Sequence, residues 1–415
     1  MGMDVQSLYR IPFLSIRWID VAILAIVFYF IRSLFVKSSV LPNNKLLITL
    51  CICYLLFETI QLVRSWGFTD TGWQISGFLC TLNFFILIDL LAFGIEYKKI
   101  IQLLKFFVLW GSITLTITNV YLFYSFLSGN VVFTDLDIRA AINVVGSKES
   151  VSLETLVAFV YGSNLYFLSR SETFVHKAIH VASILSIFIS LIIQFHRGNL
   201  VTVLLLSIIY FAFFSKRPSQ AFGRMLGFAL VICVAYFSFG GILRQKGYDP
   251  IDKLSEIVTF TMDVDNPDWD KGRSIPQDYA LNAWKENIWF GVGYNVLYHY
   301  GLPVDMGAVH NFVIASLFYR GIIGTIIYLL ILIILFANSI KFLKQINKEE
   351  GYQNDILKLL IIVSLFWFIP FWTQDIIWEK YSLSIQFMFL GIITNVYSQK
   401  MSAFTANPVP EPELV

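Results

Sequence analysis

Eleven apolar stretches, separated by polar connections, run along the chain at 21–36, 46–63, 75–95, 103–123, 153–168, 178–193, 200–214, 225–239, 321–336, 359–372 and 381–397. Stretches this long and this numerous leave few folds open. In lipid every backbone N–H and C=O must find its partner inside the protein, and a helix achieves that within one segment. Water offers no setting for so much apolar surface. The chain is 57% hydrophobic and 14% charged, against about a quarter charged for soluble domains. The expected fold class is therefore an all-α polytopic integral membrane protein with about 11 (10–12) transmembrane helices and one long extracytoplasmic loop. Several stretches fall short of the ~20 residues a bilayer requires, so the helices should extend into their flanks. The weakest is 153–168, which holds Glu154, Ser163 and Asn164, and a further half-span is open around 9–15.

Lys and Arg set the orientation. One set of alternating connections holds 16 of them and the short connections of the other set hold 8, while the remaining 6 lie in the long loop 241–308. The richer set is expected to be cytoplasmic, with the C-terminus inside and the N-terminus outside. The expected organisation is a transmembrane bundle of about eight helices over 1–240, an extracytoplasmic loop with a short amphipathic helix over 241–308, C-terminal transmembrane helices over 309–398 and a disordered tail over 399–415. Residues 1–17 lack a basic start followed by a small-residue cleavage site, so the first apolar run reads as a retained helix. Cys51, Cys53, Cys80 and Cys233 lie in apolar segments without a Cys-x-x-Cys spacing and read as core thiols. No Lys/Arg run points to nucleic acid, and no internal repeat is visible.

Polar residues in such a chain carry the information. Gln194-Phe195-His196-Arg197-Gly198-Asn199 breaks two apolar stretches on the expected outer face. Arg197 there suits either snorkelling to headgroups or bidentate recognition of phosphate. Seven acids crowd 249–270; Asp263-x-Asp265 has a faint likeness to a calcium loop, but Asp268 stands where the tight turn needs glycine, so a solvated acidic loop is the simpler reading. No His, Cys and carboxylate cluster has metal-ligand spacing, and no metal is expected. Further on come Gly272-Arg273, then Tyr279, Ala280, Ala283 and Trp284 at helical spacing, which predicts a short amphipathic helix ending near Asn287. Gly291-Val292-Gly293 is a turn rather than a dinucleotide fingerprint, since no strand or third glycine accompanies it.

His310-Asn311 stands at a helix entrance, followed by Gly321 and Gly324. A titratable imidazole there is structural or a proton acceptor, and glycines three apart admit a close neighbouring helix. Residues 312–319 are expected at the outer interface, because Arg320 would otherwise sit deep in lipid. Glu58, Asp89, Asn83 and Asn119 fall within apolar stretches, where they require partners or a cavity.

In order and on one expected face, Arg197-Gly198, Gly272-Arg273 with Trp284, Phe290-Gly291-Val292-Gly293 and His310-Asn311-x9-Gly321-x2-Gly324 resemble the O-antigen ligase/polymerase family of bacterial membrane glycosyltransferases. The resemblance covers residues 197–324 within a multi-helix context. One departure is Asn287-Ile288-Trp289, where the family commonly has Asn-Pro-Leu/Phe. The resemblance implies a metal-independent, inverting glycosyltransferase of the bacterial inner membrane, without a cofactor. It would act on the extracytoplasmic face on an undecaprenyl-diphosphate-linked glycan. His310 would be the catalytic base, Arg197 and Arg273 would bind the diphosphate, and Asn311, Arg320, Gly291, Gly293, Gly321 and Gly324 would support the site. Partners would be the lipid-linked donor, a glycan or lipid acceptor and the bilayer, with room for a chain-length regulator and none for nucleic acid.

Polymerisation of repeat units of a surface polysaccharide is the preferred reading, with ligation to a lipid or other terminal acceptor as the alternative. A flippase or transporter for the same lipid-linked glycan would instead show repeated halves and broken helices at the midplane. A non-catalytic membrane component would have little use for His310, Arg197 and Arg273 together.

Overall fold

The structure is a computed structural model that describes residues 44–65, 81–93, 150–171, 173–194, 197–214, 271–294, 309, 311–347, 352–366 and 380–406, with scattered helical positions within 102–124 and 219–245. These residues are helical or in turns, without strands. The main helices are α1 (Lys45–Ser65), α2 (Phe84–Phe93), α3 (Ser150–Leu168), α4 (Phe174–Gln194), α5 (Arg197–Phe214), α6 (Lys271–Glu286), α7 (Phe312–Ile346), α8 (Tyr352–Phe366) and α9 (Lys380–Ala406). Extension beyond the short apolar stretches is evident: α4 has 21 residues and α9 has 27. The last helix continues to Ala406, into the stretch expected to be tail. Among the described residues, α1 and α7 are long and apolar enough to cross a membrane. The stretch at 21–36, most of 225–239 and the acidic half of the long loop lie outside the described residues.

The polarity of α1 is what a lipid environment selects. Leu47, Cys51, Tyr54, Glu58, Gln61 and Ser65 recur at steps of three and four and are all buried, while Leu46, Ile52, Leu56, Ile60 and Val63 are exposed. Between the helix ends the exposed side is apolar apart from Thr49 and Thr59, whose hydroxyls bond back to the helix, and the covered side holds the acid, the amide and the serine hydroxyl. Water would demand the reverse. Cys53 is on the exposed side, which corrects its assignment as a core thiol; Cys51 is buried.

The chain divides into two compact units. The first takes in residues 104–275 and holds α3, α4 and α5, packed on one another. Of the polar residues that weaken 153–168 as an apolar stretch, Asn164 is an internal tie. Asn164, fully buried, donates to Ser183 Oγ (3.0 Å) and to the Val160 carbonyl (2.8 Å), and it is bonded to Ser112 Oγ (2.9 Å) and His180 Nδ1 (2.5 Å). Tyr161 and Ser207 join α3 to α5 through their hydroxyls at 2.6 Å. Asn119 donates to Ser186 Oγ at 3.4 Å, so this intramembrane amide is used across helices. Bonds of this kind are worth about 0.6 kcal/mol each on average in a bilayer.

The second unit takes in residues 13–103, 276–364 and 375–415 and holds α1, α2, α7 and α9. Here α9 packs on α2 and α7, and α1 packs on α7 and α2. Phe84 is the aromatic hub: its ring lies 4.6 Å from Tyr54, 4.6 Å from Phe387 and 5.9 Å from Tyr328. Asn395 of α9 donates to the Leu90 carbonyl at 2.7 Å, and Gly391 in the same helix allows the Leu90 side chain to approach.

A folded-back helix locked to a glycine loop

Between α6 and α7 the residues singled out in the sequence converge. α6 carries Tyr279, Ala280, Ala283 and Trp284 and ends at Glu286; Ala280 and Ala283 are buried. The chain then turns, with the Gly291 N–H donating to the Asn287 carbonyl at 2.7 Å. The Trp284 indole N–H donates to the Ile288 carbonyl at 3.1 Å and steadies that turn.

α7 is not one rod. At Gly321 the backbone adopts φ 62° and ψ −167°, a region essentially closed to residues with a Cβ. Ser316 and Thr325 would lie roughly 13 Å apart along a straight helix, yet their hydroxyls are 3.0 Å apart. The rings of Phe312 and Tyr328 are 5.6 Å apart, where a straight helix would separate those residues by roughly 24 Å. The first arm, 312–320, is therefore folded back along the second.

Such a break frees backbone groups on both arms, and the glycine loop takes up four of them. Val292 and Gly293 donate to the carbonyls of Phe318 and Tyr319 at 2.8 and 3.0 Å; Ile322 and Ile323 donate to the carbonyls of Ile288 and Trp289 at 2.9 and 3.2 Å. Irregular backbone in a membrane protein is tolerated where other protein groups satisfy it. The exchange requires backbone against backbone. A Cβ on Gly291 would fall 2.6 Å from Arg320 N and Phe318 O, and one on Gly321 would fall 2.5 Å from Phe290 N. Gly321 thus admits a loop, not the neighbouring helix expected for it, whereas Gly324 does face the Phe57 ring of α1. The departure at Asn287-Ile288-Trp289 leaves the turn intact, because the exchange uses the carbonyl of Ile288, which proline would also supply.

The end of α1 clasps this assembly. Gln61 donates through Nε2 to the Phe290 carbonyl and accepts from Arg64 Nη1 at 2.9 Å. Ser65 Oγ accepts the Tyr294 N–H at 2.7 Å, and Gly293 leaves room for that hydroxyl. Deeper in, one Glu58 carboxylate oxygen accepts from Arg320 Nε and the other accepts the Tyr294 hydroxyl at 2.6 Å. Arg320 is 5% exposed and Glu58 2%, and the guanidinium lies 5.6 and 5.7 Å from the ring centres of Tyr54 and Tyr328. This corrects the premise that placed 312–319 at the outer interface: Arg320 need not seek headgroups, since its counter-charge is buried beside it.

Asn311 has a structural task. Its Oδ1 accepts from the N–H groups of Val313 and Ile314 at 3.0 and 3.1 Å, which makes it the N-cap of α7. His310, one residue earlier, lies outside the described residues, while Val309 before it is buried. Arg197 is the first residue of α5, and Arg273 lies in the first turn of α6; both belong to the first unit. The structure thus brings together Gly291, Gly293, Arg320, Gly321 and Gly324 within the second unit, with Asn311 at the far end of the short arm. Sequence reasoning missed Gln61, Ser65 and Tyr294 and left Glu58 without a partner. The available signal was Glu58, Gln61 and Ser65 sharing one face of an otherwise apolar helix.

A helical membrane protein with a broken helix locked to a glycine loop is the class these features define. A family model described as O-antigen ligase matches residues 181–329, and over that segment the chain is similar to that family. The family implies glycosyl transfer related to polysaccharide assembly, with a lipid-linked glycan and an acceptor as its general substrates. No curated protein matches the sequence.

Proposed function

We propose that the chain transfers glycan from an undecaprenyl-diphosphate-linked donor on the extracytoplasmic face of the bacterial inner membrane, polymerising the repeat units of an O-antigen, capsule or exopolysaccharide. The observation that carries this reading is the family match at 181–329, which takes in Arg197, Arg273 and His310 at once.

In the reaction an acceptor hydroxyl oxygen bonds to the anomeric carbon as the bond from that carbon to the diphosphate breaks. The electron pair leaves with the lipid diphosphate, and one direct displacement inverts the anomeric centre. His310 takes the hydroxyl proton, a role that suits a group titrating near ambient pH. Arg197 and Arg273 face the charge growing on the diphosphate, where guanidinium forks replace a divalent metal. A chain-length regulator fits this reading as a partner. His310→Ala is expected to lower transfer by about 10²–10⁴, and Arg197→Lys to be poorly tolerated because a point charge does not reproduce the fork.

The description of the matched family favours a second reading, ligation of the finished glycan to a lipid or other terminal acceptor. Surface glycans of a deletion strain separate the two. Single repeats on the acceptor indicate a polymerase, and free lipid-linked polymer indicates a ligase. Unchanged glycans would overturn both.

A further inference from the structure

Because Gly321 breaks α7, the direction of the short arm is set by its contacts rather than by helical continuity; the Ser316–Thr325 hydroxyls and the Phe312 and Tyr328 rings lay it along the long arm. The backbone exchange with the glycine loop holds it at the bend. Glu58 reaches in from α1 and holds both sides of that exchange: Arg320 is the last residue before the bend, and Tyr294 is the first after the loop glycines. At the far end Asn311 caps the arm, and His310 immediately precedes it. The arm is roughly 13 Å long, so a rotation of about 5° at the bend displaces its tip by about 1 Å. A misplacement of that size costs about 10²-fold in rate.

We propose that Glu58, acting with Tyr294 and Arg320, is a positioning residue for glycosyl transfer, fixing the angle of the arm that presents His310. The proposal rests on the reading of His310 as the base. Stability alone accounts poorly for the pair. Burying two charges carries a desolvation cost that is offset only when the remaining protons are also bonded, and an apolar pair of similar volume commonly serves as well. Arg320 Nη1 is buried without a protein hydrogen-bond partner among the described residues. Apolar side chains would hold α1 against α7, but they would not hold Tyr294 and Arg320 at one point.

The test compares wild type, Glu58→Met/Arg320→Met, Tyr294→Phe and His310→Ala as purified full-length proteins. The donor is the lipid-linked glycan that accumulates in a deletion strain, with that strain's membranes as acceptor. The double variant is expected to unfold at the same detergent stress as wild type or higher. Its half-saturating donor concentration should stay within about threefold while its maximal turnover falls about 10²-fold. Tyr294→Phe, which keeps both charges, should lose about 3–10-fold in turnover. A folded double variant with wild-type turnover overturns the proposal. So does a double variant that fails to fold, which would make the pair a stability device. Full activity of His310→Ala sinks the base assignment itself; an inactive His310→Ala beside a fully active double variant sinks this proposal alone.

Discussion

Gly321→Ala is the sharpest perturbation of the folded-back helix. The native φ and ψ at this residue lie in a region that costs a residue with a Cβ about 1–3 kcal/mol. The added methyl would also sit 2.5 Å from Phe290 N and from the Trp289 carbonyl carbon. Both are backbone atoms held in the exchange with α7, so they have little freedom to retreat, and overpacking of this kind costs about 1–3 kcal/mol more. The expected destabilisation is therefore about 2–6 kcal/mol. Gly324→Ala is the matched control. Gly324 has no positive φ and its new methyl meets chiefly the Phe57 ring, so only the packing cost of about 1–3 kcal/mol applies. Unfolding of the purified variants by titration with a denaturing detergent measures both. Gly321→Ala within about 0.5 kcal/mol of wild type, the range of an ordinary surface substitution, would refute the argument that loop and bend exchange backbone bonds. A larger loss at Gly324 than at Gly321 would refute the ordering.

Three other outcomes are expected. Asn311→Ala should cost about 1 kcal/mol in the same titration and Asn311→Ser much less, since a hydroxyl also caps; equal losses would remove the cap from the account. Asp263→Cys should react with an impermeant thiol reagent applied to intact cells with an opened outer envelope, as the 16-to-8 division of basic residues requires. Labelling seen only after the inner membrane is breached would reverse the orientation. Transfer by the purified enzyme should survive a strong chelator, whereas loss restored by a divalent ion would move Asp263 and Asp265 to the centre of the chemistry.

Among the described residues the helices were legible because apolar runs are a local signal, and the glycines were legible because their residue type is rare where a helix should continue. What each glycine faces was not legible. Gly321 and Gly324 read alike in the sequence, yet one meets a loop backbone and the other a ring from α1. Their difference lies in the bend, which no local periodicity encodes. Glu58 and Arg320 were each recognised as costly in lipid, but the remedy chosen for Arg320 was to move it to the surface. The alternative, pairing the two, needs a distance between residues 262 positions apart. One acid and one base in two apolar helices was the available hint. Asn311 carried the mark of a helix cap, a short polar side chain just before an apolar run, but was assigned to the site for its neighbour His310.

The ion pair also imposes an order of events during synthesis. Glu58 is translated 262 residues ahead of Arg320, so at about 5–20 residues per second α1 waits roughly 13–50 s for its counter-charge. Through that interval an acid, an amide and a serine share a face that no part of α7 yet covers. The nascent chain must shelter that face by keeping α1 near the insertion machinery or by letting it lean on helices made earlier. Chains arrested before residue 320 would carry the same uncovered face permanently. A completed chain is distinguished by a contact that only its last quarter can close.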